Sequence, residues 1–233
     1  DHDIISKFTV NFGSDKVKQS GRFYAWEALV HCEHGCYEGG NEIGVGVEHV
    51  YRNMRRICKR IAPNLNLPKK DPIGDNTIVM HLRSGDNYHR IFTPPTNYIP
   101  NPLIFYLNLI DSFDKCILIT ESDRENPIVH ELMKIDKVKI QSSTVADDFA
   151  TLMSAKNVAL SGVGTFAMAA ALCSTQIKNL YTTDLLLTEH LNYTMMHNTD
   201  VDVHVMDLEN YLPVFPCSWK NTEEQRKFIL DYR

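Results

Sequence analysis

The chain has 233 residues, enough for one large α/β domain or one full domain with a small appendage, since domains usually hold about 100–200 residues. With 43% hydrophobic and 23% charged residues it can bury a core without disulfide or metal staples, which excludes global disorder. A net charge of −5 excludes a wholesale basic surface of the kind that binds nucleic acid non-specifically, and no apolar run reaches the roughly 18–20 residues that span a bilayer.

The six cysteines, Cys32, Cys36, Cys58, Cys116, Cys173 and Cys217, are spread along the chain. Cys116 and Cys173 sit inside apolar runs, where a reduced thiol acts as a small core residue. That favours a reducing, cytoplasmic compartment, with a Golgi or ER lumen as the alternative. The single Asn192-Tyr193-Thr194 glycosylation triplet does not overturn it. No secretory signal precedes Asp1 and no initiator Met is present, so the chain is expected to be part of something longer.

Residues 1–46 carry scattered glycines and short apolar pieces without a sustained period. Within them, His31-Cys32-Glu33-His34-Gly35-Cys36 has zinc-binding residue types. The spacing gives no paired Cys-x2-Cys, and no second cluster completes four ligands. A local disulfide or plain surface residues fit better, and no metal is expected. Gly44-Val45-Gly46 lacks the third glycine of a dinucleotide fingerprint, and no Walker-type Gly-Lys-Ser/Thr occurs. Glu48 to Ile61 reads as a basic amphipathic helix. Val47, Val50, Met54, Ile57 and Ile61 recur at three- and four-residue steps, with Arg52, Arg55, Arg56, Lys59 and Arg60 among them. A solvated face is the expected use of those charges, and contact with an anionic partner the alternative. Pro63, Pro68 and Pro72 make a stiff connector, and the composition shift near residue 70 divides a small N-terminal portion with its linking helix, 1–70, from a larger domain, 71–233.

Strand and helix signals then alternate. Thr77–Leu82 is a β-rich run, 84–100 a long loop, and Leu103–Phe113 a helix with Asn101 as its expected N-cap. Lys115–Thr120 is a strand, Asn126 caps a helix that starts at Pro127, and Val138–Ile140 is a brief strand. Ala146–Ala155 is a helix, Asn157–Ser161 a strand, Thr165–Cys173 a helix and Ile177–Tyr181 a strand. Val201–Met206 alternates like an edge strand, and Glu223–Tyr232 closes the chain as a helix. Strands separated by helices of this kind predict right-handed βαβ crossovers. The expected fold class is α/β, a Rossmann-like parallel sheet with helices on both faces.

In such sheets ligands bind beyond the carboxyl ends of the strands. The first strand ends in His81-Leu82-Arg83-Ser84-Gly85-Asp86. Alternation puts His81 and Arg83 on one side, and an arginine there can grip phosphate oxygens with a planar fork. The plainer alternative is an Arg83–Asp86 ion pair that stabilises the turn, with His81 as half-buried core. A second constellation lies at Asp147 and Asp148, which open a helix, and at Ser161-Gly162-Val163-Gly164-Thr165-Phe166, where a strand meets the next helix. Glycines there let backbone N–H groups approach a phosphate, the helix start favours negative charge, and the Ser161 and Thr165 hydroxyls add donors. The plainer alternative makes Thr165 an N-cap, the glycines a tight turn, and Asp148 a complement to the helix dipole. Together the two constellations suit a diphosphate at one sheet edge. The Asn87–Pro102 loop, with Tyr88, Phe92 and Tyr98, suits stacking on a sugar ring or packing on the surface.

Ile78 to Asp86 resembles the first, HxRxxD-like motif of the fucosyltransferase superfamily, which includes the α-1,2-, α-1,6- and protein O-fucosyltransferases. Asp148 to Ser161, followed by Thr165-Phe166, is similar to that superfamily's second block. The resemblance covers roughly Thr77 to Tyr181. It implies a GT-B-type, metal-independent inverting glycosyltransferase that moves fucose from GDP-fucose to a glycan or glycoprotein acceptor, with 1–70 on the acceptor side. By position it implies that Arg83 holds the β-phosphate and stabilises the leaving GDP. His81 and Asp148 would contact guanine or ribose, and Ser161, Gly162, Gly164, Thr165 and Phe166 would line the diphosphate and base pocket. Asp86 is a candidate base for the acceptor hydroxyl, with Glu38 and Glu42 as alternatives. The sequence departs from the pattern at Ser84, where many members carry a second basic residue, in the longer Ser-Gly-Val-Gly-Thr-Phe turn, and in its short N-terminal portion. A transferase using another nucleotide sugar, such as UDP-xylose, and a non-catalytic nucleotide- or carbohydrate-binding module are the rival expectations.

Overall fold

The computed structural model describes residues 10–12, 15–17, 47–89, 98–186, 191–211 and 219–233. A short antiparallel hairpin, β1 (Val10–Phe12) and β2 (Asp15–Val17), comes first, and helix α1 spans Val47–Ile61. Then follow β3 (Ile73–His81), α2 (Leu103–Ser112), β4 (Lys115–Ile119), α3 (Pro127–Leu132), β5 (Val138–Gln141), α4 (Val145–Ser154) and β6 (Ala155–Ala159). α5 (Phe166–Cys173), β7 (Asn179–Thr183), β8 (Asp202–Met206) and α6 (Glu223–Asp231) complete the order. The His31–Cys36 cluster, Glu38, Glu42, Gly44–Gly46, Phe92 and Cys217 lie outside the described residues.

Strands β3 to β8 form one sheet, parallel throughout, in the order β5-β4-β3-β6-β7-β8. The chain builds outward from β3 through β4 to β5, returns past β3 to β6, and builds the other way. That is a doubly wound, Rossmann-like α/β fold with its reversal between β3 and β6. The centre of β3 shows why the sequence reads as a continuous apolar run. Ile78, Met80 and Leu82 enter the core shared with α2, α3 and α6, while Val79 enters the core shared with α1, α4 and α5. Both faces of the strand are covered, so no polar alternation survives.

Local chemistry fixes the helix starts. The side chains of Asn126, Thr144 and Thr222 accept bonds from the backbone N–H groups of Ile128, Asp147 and Gln225, capping α3, α4 and α6. The expected Asn101 cap of α2 is not made. Pro102 holds the cap position, and the Asn101 side chain is drawn away, its Nδ2 donating to Leu160 O at 3.0 Å and its Oδ1 accepting from Thr183 Oγ1 at 2.6 Å. The Asn192-Tyr193-Thr194 triplet is likewise built into the structure. Asn192 is buried, and its Oδ1 accepts from Thr194 N–H at 3.1 Å, capping a 3-10 turn over Tyr193–Met196.

Helix α1 corrects two expectations. Among its described side chains Met54 and Cys58 pack against the core, and Ile57 is exposed. Arg55 is 3% exposed rather than solvated. Its Nε donates to Asp200 Oδ1 at 2.8 Å, and its Nη1 donates to Ala171 O at 2.9 Å and Ser174 O at 3.2 Å. A cation on the last carbonyls of α5 complements the negative end of the helix, which anchors α1 to the sheet's face.

Candidate active site

Because β3 and β6 are neighbours in parallel register, Met80 opposite Ala159, their carboxyl ends open side by side. Arg83 follows one strand and the Ser161–Phe166 turn follows the other. His81 joins them, with Nδ1 3.1 Å from Ser161 Oγ. The imidazole is buried and its ring lies 5.2 Å from that of Phe166, which meets Phe149 of α4 edge-on at 5.6 Å. Burial first, and then the charge of Arg83, pull its pKa down to about 3. His81 is therefore a neutral imidazole at ordinary pH, with one nitrogen committed to Ser161.

Arg83 is about one-third exposed, and its Nη2 donates to Asp86 Oδ1 at 2.7 Å. Its pKa is raised: burial acts to lower it, but the Asp86 contact and the fields of Asp86, Tyr98 and Glu121 prevail. The Arg83–Asp86 turn pair weighed from sequence is thus formed. Arg83 Nε, however, is buried without a partner, as is the Thr120 Oγ1 at the carboxyl end of β4. Burial drives the Tyr98 phenol well above its usual range, so it stays protonated. Buried polar groups are almost always paired, and orphans gathered at one sheet edge mark a place built to meet a polar partner.

Sequence reasoning missed the residues that hold the 84–89 turn. Ser84 N–H donates to Glu121 Oε2 at 2.6 Å, and Gly85 N–H donates to Asp123 Oδ1 at 3.1 Å, while His89 Nε2 lies 3.2 Å from Asp123 Oδ2. Burial acts to raise the Asp123 carboxyl, yet hydrogen bonds from the Ser84 side chain, the Gly85 and Glu125 N–H groups and His89 keep it below its usual value. Asn126 adds two ties: its Nδ2 donates to Arg83 O at 2.8 Å, and its backbone N–H donates to Ser84 Oγ at 3.0 Å. The one signal in the sequence was the polar Glu121–Asn126 stretch directly after a strand.

The second constellation divides. Thr165 is exposed, occupies the cap position of α5, and makes no capping bond with its side chain. The first amides of α5 have no intrahelical partner. Phe166 is half-buried against His81. Ser161 is 1% exposed and committed to His81, so it orients the imidazole and does not line an open diphosphate site. Gly162 is required by the fold: at φ +79° a Cβ would sit 2.3 Å from Ile99 O. A Cβ on Gly164 would sit 2.7 Å from Ser161 Oγ. Asp148 is buried at the start of α4, where Oδ1 accepts from Gln141 Nε2 at 2.7 Å and Oδ2 from Ser143 N–H at 3.2 Å. Tyr88 and Tyr98 are buried and pack edge-on at 6.4 Å, so neither offers a face to a sugar.

Among the described residues, no cluster of three or more His, Cys, Asp or Glu side chains is placed to hold a metal ion, and no helix is long and apolar enough to cross a membrane. No protein-family model matches the chain, and no curated protein sequence or solved structure matches it either. The chemistry of the crevice therefore rests on its own residues.

Proposed function

We propose that this chain transfers a sugar, fucose from GDP-fucose in the first instance, to a hydroxyl of a glycan or glycoprotein, with inversion and without a resident metal. One observation carries the reading. Arg83 follows β3 and the first turn of α5 follows the neighbouring β6, and His81 contacts Ser161 between these two strand ends, at the reversal of strand order. Ligands of open α/β sheets bind at that reversal.

In the proposed reaction the acceptor oxygen bonds to the anomeric carbon as the bond from that carbon to the β-phosphate oxygen breaks. The electron pair leaves with GDP. Negative charge grows on the diphosphate, where Arg83 and the α5 amides stabilise it. Asp86 is 58% exposed, and an exposed ion pair is worth about 1 kcal/mol at most, so a diphosphate can displace it from Arg83. That exchange frees the Asp86 carboxylate to take the acceptor's proton. His81 stays neutral and orients by hydrogen bonding. Thr165 adds a donor to the phosphates, and Phe166 flanks the base side. Other nucleotide sugars, UDP-xylose among them, fit the same chemistry.

A non-catalytic nucleotide- or carbohydrate-binding module is the second reading. It is favoured by Ser84, which is fully buried and leaves Arg83 as the lone cation of the motif. Calorimetry with GDP, UDP and CMP tests the site. Arg83→Ala is expected to weaken GDP binding at least tenfold, about 1.4 kcal/mol. Unchanged affinity would sink the phosphate assignment. GDP release in the presence of candidate acceptors separates enzyme from module.

A further inference from the structure

A second basic feature lies at the opposite, amino-terminal edge of the sheet. Arg55, Arg56, Lys59 and Arg60 of α1 face the Asn198-Thr199-Asp200 turn that leads into β8, across a cleft of about 440 Å³. The location follows from the contacts: Arg55 binds the last carbonyls of α5, and Asp202, just after the turn, pairs with Asn179 at the start of β7. This cleft is separate from the β3–β6 mouth and does not depend on its function.

The charge balance is uneven. Four cations line the cleft against one carboxylate, Asp200. That carboxylate pairs with Arg55 at 2.8 Å and with Lys59 at 3.4 Å. Arg56 is exposed and bonded only to the neutral Asn53 Oδ1, at 2.8 Å through Nη2, and Arg60 is exposed at the rim. At the buried side Arg55 keeps one nitrogen, Nη2, out of solvent and without a hydrogen-bond partner.

We propose that this cleft is a binding site for a compact soluble anion bearing two or more phosphate groups. Arginine forks match phosphate oxygens bidentately, and the uncompensated charges of Arg56, Arg60 and the shared Lys59 suit a ligand of two to three negative charges. An extended polyanion fits less well. Among the described residues, the cations lining the cleft all lie in the last two turns of one helix, and the chain's net charge of −5 repels a long polymer elsewhere. A membrane surface fits less well too, because Ile57 is the one large apolar side chain exposed on the described part of α1.

The test is calorimetric titration of the whole chain with inorganic pyrophosphate at physiological ionic strength, in an Arg83→Ala background that weakens the other proposed phosphate site. Arg56→Ala/Arg60→Ala in that background is expected to weaken binding by about tenfold or more, with an unchanged melting temperature because both side chains are exposed. Arg56→Gln alone should give an intermediate loss, which guards against misfolding of the double variant. Three results would overturn the proposal: pyrophosphate affinity indifferent to both variants, sulfate binding as tightly as pyrophosphate, or retention on phosphatidylserine vesicles with no binding of free pyrophosphate.

Discussion

His81 Nδ1 and Ser161 Oγ, eighty residues apart in sequence, lie 3.1 Å apart and tie the carboxyl ends of β3 and β6 together. Burial and the neighbouring Arg83 hold the imidazole pKa at about 3, against an ordinary value of 6.5. Between those values the unfolded chain binds a proton that the folded chain refuses. Stability therefore rises with pH across the window and is lost as pH falls from 6.5 towards 3. His81→Gln is expected to flatten the dependence of unfolding free energy on pH, by about 1.4 kcal/mol per pH unit over the middle of that window. Urea titrations at a series of pH values measure it. An identical slope in the variant would mean that the ring is solvated in the native protein.

The glycines give a paired prediction. At Gly162 the backbone is left-handed and a Cβ would collide with Ile99 O, whereas at Gly74 in β3 nothing lies within 4 Å of a Cβ. Gly162→Ala should destabilise by more than about 2 kcal/mol, since neither the backbone conformation nor the facing carbonyl can yield cheaply. Gly74→Ala should be neutral or stabilising by up to about 1 kcal/mol, because alanine loses less chain entropy in a strand. Chemical denaturation of the two variants side by side decides whether the turn or merely glycine content matters.

What the sequence revealed and what it hid follow one physical line. Apolar runs and their breakers placed β3 to β8 within a few residues, most clearly at β3, whose covered centre is apolar throughout, while β8 showed the alternation of an edge strand. Asn126 was legible as a cap because its partner, Ile128 N–H, is two residues away. Asn101 has the same residue type beside a helix, yet its partners are Leu160 and Thr183, which only the folded sheet brings near. Glu121 and Asp123 were hidden for the same reason: they serve backbone N–H groups of Ser84 and Gly85, and a backbone donor leaves no trace in residue type. Arg55 looked like its neighbours on α1 because a buried arginine and a solvated one differ only in where the helix packs. At the neighbouring ends of β3 and β6 the sequence pointed to Arg83 and the 161–166 turn, but it could not separate Ser161, which is buried against His81, from Thr165, which is exposed.

Arg55 carries the attachment of α1. Removing its side chain would strip the carbonyls of Ala171 and Ser174 of a charged donor and leave Asp200 without its nearest partner. Asp200 is more than half exposed, so water screens most of its loss; the buried carbonyls set the cost. Arg55→Ala should destabilise by about 2–3 kcal/mol, and Asp200→Asn by about 1 kcal/mol or less. Arg55→Lys should recover little, because a single ammonium cannot reach the carboxylate and both carbonyls in the guanidinium's planar geometry. Equal losses for Arg55→Ala and Asp200→Asn would shift the anchoring from the helix end to the ion pair.

Position 84 tests how the proposed phosphate site should be understood at the residue where the fucosyltransferase-like reading expects a second cation. If a second cation were simply missing from the mouth, Ser84→Arg would restore a phosphate clamp and tighten GDP. Ser84 is fully buried, however. Its Oγ accepts from Asn126 N–H, and its own N–H is held by Glu121. An arginine there would have to fit a closed corner and would leave the Asn126 amide without its acceptor. Ser84→Arg should therefore cost at least about 2–3 kcal/mol from overpacking and the lost bond, with no gain in GDP affinity. Ser84→Ala isolates the hydrogen bond and should cost about 1–2 kcal/mol while leaving nucleotide binding unaltered. Tighter GDP binding by a stably folded Ser84→Arg protein would mean that the side chain at this position reaches the mouth, and that the corner between β3 and β4 is looser than its hydrogen bonds imply.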